Sequence, residues 1–248
     1  MLNKPLALVF FLMLFSPYSV SAEKITYKLY LSMGFLNIQA GESSLFEFQT
    51  EYGEGFAIMS RMIMATNRRA DRIFFLRDTM TSYSSLAGHP FLYTKTVNEG
   101  QKSDVEIAEL DNSEDYCAVI LRTYSNGVLT GSSSVYRDSD VHDMLSMLRY
   151  TRKMSSKDIA PGYTVKIPMV NGLQVVDQHI VYEGMESVKA ANNKEYNCLA
   201  LSVRDYKYGK ERVTLRVLVT SDSLHIPVQL DLNLGVGKIK ALLSEYCQ

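Results

Sequence analysis

The chain has no tryptophan, three cysteines and six prolines in 248 residues. Each scarcity weakens or excludes something. Without Trp, a sugar-stacking platform lacks its largest aromatic face. Three cysteines with no C-x-x-C spacing leave no zinc ribbon and no dithiol redox motif. So few prolines, none clustered, leave no stiff linker. A surplus of either charge is also missing, since 26 Lys and Arg stand against 27 Asp and Glu. No overall basic field exists to draw in nucleic acid or an anionic membrane surface. The longest apolar run is Leu6 to Phe15. As a helix it rises about 15 Å, half of a bilayer core, so no transmembrane anchor is expected.

That run belongs to a different kind of segment. Lys4 precedes it, Ser16, Pro17 and Tyr18 follow it, and Val20-Ser21-Ala22 offers compact side chains for a cleavage site. Residues 1–22 read as a secretory signal peptide cleaved after Ala22. The predicted mature chain, 23–248, loses one lysine and carries a net charge of −2. No cysteine follows the cut, so a lipid anchor there is not supported. Residues 23–248 are expected to form one β-rich domain, exported to the periplasm or outer envelope. The odd count of Cys117, Cys198 and Cys247 leaves two readings: one disulfide with a free thiol, or buried small apolar side chains at Cys117 and Cys198.

The dominant period of the mature chain is two. Ile25, Tyr27, Leu29 and Leu31 alternate with polar neighbours, which predicts a half-buried strand. Phe35 to Ala40 extends it past Gly34, a bulge or tight bend, and Gly41 ends it. Ser44–Thr50 and Phe56–Thr66 read as further strands. Asn126-Gly127 and Asn171-Gly172 read as two-residue hairpin turns, because both central positions of a type I′ turn need positive φ. They join Cys117–Tyr124 to Val128–Tyr136, and Tyr163–Val170 to Leu173–Tyr182. Strands at Glu195–Val203, Arg212–Thr220, His225–Leu232 and Lys238–Leu243 continue the pattern, with turns at Tyr208-Gly209 and Ser221-Asp222. Asn98–Asp104, Glu109–Asp115 and Ser187–Glu195 read as loops.

Two stretches break the period. Asn67–Arg77 reads as a short helix or another strand. Val141, Met144, Leu145 and Leu148 fall at helical spacing, with Asp140 as the expected N-cap, Asp143 three residues on, and Arg149, Arg152 and Lys153 in the last turn. One amphipathic helix over 141–153, plugging an open face of a mainly antiparallel β fold, is the expectation.

Little in the sequence spells chemistry. His89, His142, His179 and His225 lie in no metal-ligand spacing, and no metal or cofactor is expected. His142 points off the helix stripe and reads as solvated. His179 alternates with Val181 and faces a core or a cavity. His89-Pro90 reads as a turn, and His225 precedes an extended Ile226-Pro227. Gly41 to Leu45 and Gly131 to Val135 lack the second glycine of a nucleophile elbow. Gly235-Val236-Gly237-Lys238 lacks the early glycine and the final Ser or Thr of a phosphate loop. The 16 tyrosines, together with Met59, Met62 and Met64, suit either a core or a cavity that accommodates a lipid.

Three segments carry a resemblance. Asp140–Arg152 (DVHDMLSMLRYTR), Arg216–Gly237 (RVLVTSDSLHIPVQLDLNLGVG) and Tyr27–Gly41 (YKLYLSMGFLNIQAG) resemble, in order, the helix, the strand–turn–strand ending and the opening of a secreted bacterial family, domain of unknown function 3108. Leu218 stands where that family often has Trp, and Ser221 where it often has Asp. The resemblance implies an exported β-rich protein of the Gram-negative envelope and supplies no catalytic residues. Arg152, Asp222 and Pro227 match its pattern. They read as a helix-to-sheet ion pair, a turn residue and a strand start.

The expected fold is therefore mainly β: a curved antiparallel sheet closing towards a barrel or two-sheet sandwich, with one amphipathic helix. The expected function is non-enzymatic binding of an apolar or amphiphilic ligand, lipid-like or a glycan, in a β-rich cavity. The alternative is a module docking another envelope protein, and a remote one is a hydrolase built around His142 or His179. The positions of the ligand-binding residues are not expressed in the sequence.

Overall fold

A computed structural model describes residues 22–73, 75–99, 102–112, 116–155, 159–207, 210–234 and 237–248. The expected signal peptide, apart from Ala22, lies outside these residues, as do Phe74, Tyr208-Gly209 and Gly235-Val236.

Among the described residues, fourteen strands and one α-helix make the fold. The first eight strands are β1 (Glu23–Met33), β2 (Leu36–Tyr52), β3 (Gly55–Thr66), β4 (Arg77–Ser84), β5 (Pro90–Glu99), β6 (Lys102–Asn112), β7 (Cys117–Ser125) and β8 (Val128–Arg137). Helix α1 (Met144–Arg152) follows, then β9 (Thr164–Asn171), β10 (Gln174–Lys189), β11 (Glu195–Lys207), β12 (Lys210–Thr220), β13 (Pro227–Leu234) and β14 (Gly237–Cys247). All fourteen form one antiparallel sheet in the order β8-β7-β6-β5-β4-β3-β2-β1-β14-β13-β12-β11-β10-β9. The chain starts mid-sheet, meanders to one edge, crosses through α1 to the other edge and meanders back. Neighbours in the sheet are neighbours in sequence except at β1–β14, where Lys24 faces Cys247 and Ser32 faces Lys238.

Alternation along β1 shows why the sheet curls. Ile25, Tyr27, Leu29 and Leu31 are at most 1% exposed and face one side. On the same inner side lie Val119 and Leu121 of β7 and Ile180 and Tyr182 of β10, all in one apolar cluster with Val141, Leu145, Met147 and Leu148 at the helix. The sheet thus wraps around α1, which touches β3, β4, β9 and β12. The wrap does not close by a strand pair. At the seam, His142 bridges Met169 in parallel: its N–H donates to Pro168 O and its carbonyl accepts from Val170 N, both at 2.9 Å. Further along the seam, Arg137 Nη2 donates to Val175 O (2.9 Å). At Gly131 an added Cβ would stand 2.4 Å from Leu173 Cδ1.

The expected fold class is what forms, with local corrections. Gly34 is the first residue of a two-residue hairpin turn (φ +57°), since Met33 pairs with Leu36. Gly41 does not end a strand. It lies inside the 17-residue β2, where a Cβ would sit 2.0 Å from the Ala65 carbonyl oxygen, so glycine allows β2 to bend against β3. Asn126-Gly127 is the expected turn with both residues at positive φ, but the second hairpin turns at Gly172-Leu173, because Asn171 still pairs with Gln174. The loop expected at 98–104 is mostly strand, as β5 runs to Glu99 and β6 begins at Lys102, and β6 continues to Asn112. Only Ala108 and Leu110 of β6 are buried, so its polar composition hid it. Asn67–Arg77 holds a single 3-10 turn, Ala70–Arg72, before β4.

The helix starts three residues later than expected. Asp143, not Asp140, is the N-cap: Oδ1 accepts from Leu145 N (2.7 Å) and Ser146 N (3.0 Å), and Ser146 Oγ accepts from Asp143 N (2.9 Å). Asp143 is fully buried because Ser82 Oγ on β4 donates to its other oxygen at 2.6 Å. Asp140 is left outside and pairs with His89 Nδ1 (2.7 Å).

A candidate binding cleft at the helix end

Strand directions place the two chain ends, the crossover and the turns at 53–54, 85–89, 190–194 and 221–226 at one end of the wrap. At this end α1 finishes, and its last turn carries Arg149, Arg152 and Lys153. Two of the three cations are tied inward. Arg149 lies on the stripe of Leu145, four residues back, and is 8% exposed. Its Nε donates to Glu47 Oε2 (3.1 Å) and its Nη2 to Ser60 Oγ (2.6 Å), while Nη1 is buried without a partner. Arg152 holds Glu23 with two bonds of 2.6 and 2.7 Å, and its Nε donates to the His225 carbonyl (2.9 Å). Burial disfavours its charge, but the bonds and charge of Glu23 outweigh burial, and the guanidinium is held further above its ordinary range. Arg152 is thus the expected helix-to-sheet pair, joining α1 to the first residue of β1 and to the β12–β13 turn.

Between the helix end and these turns lies an open cleft of about 390 Å³. Ile58 on β3 and Leu86 in the β4–β5 turn line one side, and Ser223, Leu224 and His225 line the other. Leu86 is 58% exposed and Leu224 45%. Lys153 has no ion pair among the described residues, and its Nζ stands 3.1 Å from where a Cβ on Gly88 would sit. The cleft therefore combines a free ammonium with two exposed leucines. Asp222 shapes its wall as a turn residue, accepting from Thr220 Oγ1 (2.7 Å) and Leu224 N (3.1 Å), and Pro227 starts β13. His225 sits in the left-handed region (φ +47°) rather than extended.

A second, smaller hollow of about 220 Å³ lies at the seam. Arg137, Asp138, Lys166 and Asp177 give it both signs of charge, and Lys166 pairs with Asp177 at 2.7 Å. Both hollows open at the surface, and the space between helix and sheet is filled by side chains at most 9% exposed. Met62 belongs to this filling and Met64 packs against it, while Met59 is buried on the other face of β3, opposite Phe48 and Tyr83. Met62 and Met64 line core rather than a ligand chamber.

The histidines do not converge. His142 is not solvated on the helix but precedes it, half-buried under the seam, edge-on to Tyr150 at 5.9 Å. Its Nδ1 is buried without a partner, and burial lowers its pKa against the opposing pull of Asp143 and Asp140. His179 lies between buried Gln178 and Ile180, so it faces the outside of β10, 5.0 Å from the Tyr206 ring. No group of three or more His, Cys, Asp or Glu side chains suited to a metal occurs among the described residues. Cys117, Cys198 and Cys247 are all free. Burial raises the Cys117 thiol and pushes Cys198 up to about 12, so both are inert small side chains.

The sequence pointed to Arg152 but missed its partner Glu23, which lies 129 positions away. It missed Leu86 and Leu224 because lone apolar residues in turns carry no period. Arg149 was within reach: a cation four residues after Leu145 falls on the buried stripe.

The fold is shared with a crystal structure of a β-barrel-like protein of domain of unknown function DUF1849 from Brucella abortus, at a TM-score of 0.56 and 12% identity, covering 91% of this chain and 96% of that one. No curated protein matches the chain. The crossover helix, the strand–turn–strand at Pro227 and nearly all of the wrapped sheet lie within residues 25–244, which match the model of the protein family of unknown function DUF3108, and the chain belongs to that family.

Proposed function

We propose that this is an exported envelope protein that binds an amphiphile, without catalysing a reaction, through the cleft at the helix end. One observation carries the reading. The unpaired Lys153 ammonium and the exposed Leu86 and Leu224 share a cleft whose other cations are already neutralised by glutamates. An anionic head suits the ammonium, and the start of an acyl or similar chain suits the leucines, which water solvates poorly. The volume of about 390 Å³ suits a head and the first part of a tail rather than a whole lipid. Because buried side chains fill the space between helix and sheet, the proposed site lies at the rim and not inside the sheet. Export rests on the pattern of residues 1–22.

Native mass spectrometry of the protein, exported through its own N-terminal segment and purified gently, tests this. The expected spectrum shows an added mass in the amphiphile range, lost in Lys153→Glu and Leu224→Asp variants that fold normally. A wild-type mass of residues 23–248 alone, or an adduct indifferent to both substitutions, overturns it.

A further inference from the structure

The two edges of the sheet are treated differently. Edge strand β9 carries Lys166 and Pro168 and is partly covered, since His142 bonds its backbone on both sides of Met169. Charge, proline and cover are the usual ways of blunting a strand edge. Edge strand β8 is blunted less: it has no proline, one charge at its end and no backbone cover among the described residues. Its ten residues, VLTGSSSVYR, contain no proline, and their only charge is the terminal Arg137. Among the described residues its backbone bonds to β7 and to no other segment. The seam leaves this edge outside, because β8 meets the β9–β10 hairpin through side chains on its inner face, at Gly131–Leu173 and Arg137–Val175 O.

We propose that the free edge of β8 pairs with β8 of a second copy of this chain, antiparallel across a two-fold axis at Ser133. The argument is self-complementarity. With Ser133 opposite its own copy, Tyr136 falls opposite Thr130, Ser132 opposite Ser134, and Val135 opposite Gly131. Tyr136 and Val135 each meet a smaller side chain or glycine on the same face of the sheet. The Arg137 residues of the two copies pair with Leu129 at opposite ends, so no like charges meet. An isologous pair needs no other partner and closes on itself. Strand edges of this length bury little surface, so the dimer is weak and concentration-dependent. This inference is independent of the cleft.

Analytical ultracentrifugation of the exported protein over a concentration series tests it. The wild type is expected to shift from monomer to dimer as concentration rises. Ser132→Lys with Ser134→Lys places lysines opposite lysines in this register and should keep the protein monomeric, as should Ser132→Glu with Ser134→Glu. Mixing the two double variants should restore a dimer, and unchanged melting temperatures show that each variant still folds. A wild type that stays monomeric to its solubility limit overturns the proposal. So do a dimer that survives both double variants and a mixture that stays monomeric.

Discussion

His142 owes its chemistry to its neighbours. The seam covers its ring, so the charged form loses hydration, and nearby Asp143 and Asp140 only partly compensate. The unfolded chain releases this imidazole to its ordinary pKa of about 6.5. The folded state therefore binds the proton less readily. Its stabilising contribution is complete above about pH 6.5 and is lost as pH falls through the lower, folded value. A His142→Gln variant should lose less stability than the wild type as pH falls from about 7 to about 5, followed by urea unfolding at each pH. Equal losses would remove His142 from the account. At this scale the sequence was partly legible. Cys117 and Cys198 in strand-like runs are the inert, buried thiols that one of the two readings expected. His142 was misread because the cap lies at Asp143, three residues on from Asp140, and this takes the histidine off the helix.

Among elements, α1 depends most on a single side chain. Nine residues make a helix too short to hold in water alone, so its cap and its packing decide whether it forms. Asp143 satisfies two helix N–H groups and accepts the Ser82 hydroxyl, which ties the helix start to β4. Asp143→Ala should cost about 2–4 kcal/mol, a lost cap plus a buried hydroxyl without its partner. Asp143→Asn, which keeps the acceptor oxygen, should recover part of that. Denaturant midpoints of the two variants measure the difference, and equal midpoints would show that the cap is not the cause. Strand existence was legible wherever one face is buried, as in β1, because alternation is what burial of one face requires. Strand extent was not. The far ends of β10, from Glu183 to Lys189, are half-exposed or exposed, and outer positions are free to be polar without breaking the ladder.

For the whole molecule, the sheet's centre is where the first and last described strands meet. Deleting Gly237–Gln248 removes β14 and leaves raw edges on both β1 and β13. It also uncovers Leu31, against which Ile239 packs. This truncation should abolish a cooperative thermal transition and produce aggregates, read by circular dichroism and light scattering. A sharp transition in the truncated chain would show that the two halves fold separately. The topology was the least legible level. Hairpins announce themselves through local turn residues such as Asn126-Gly127, but the β1–β14 pairing has no local signature. It follows from an apolar-faced β1 and from β14, which buries Ala241 and Leu243, each left with an open edge on that side.

That same pairing sets an order of events as the chain is made. Twelve of the thirteen strand contacts join sequence neighbours and can form as each hairpin emerges. The thirteenth closes a loop of roughly 200 residues, at an entropic cost of about 5 kcal/mol. β1 is the first strand made, and its second edge waits for the last strand. Until β14 joins, the forming sheet carries an open edge at the apolar-faced β1, and any delay in adding residues 237–248 prolongs that exposure. The final dozen residues, which contribute no side chain to the cleft, therefore act as the cover that ends the chain's period of greatest risk of misassembly.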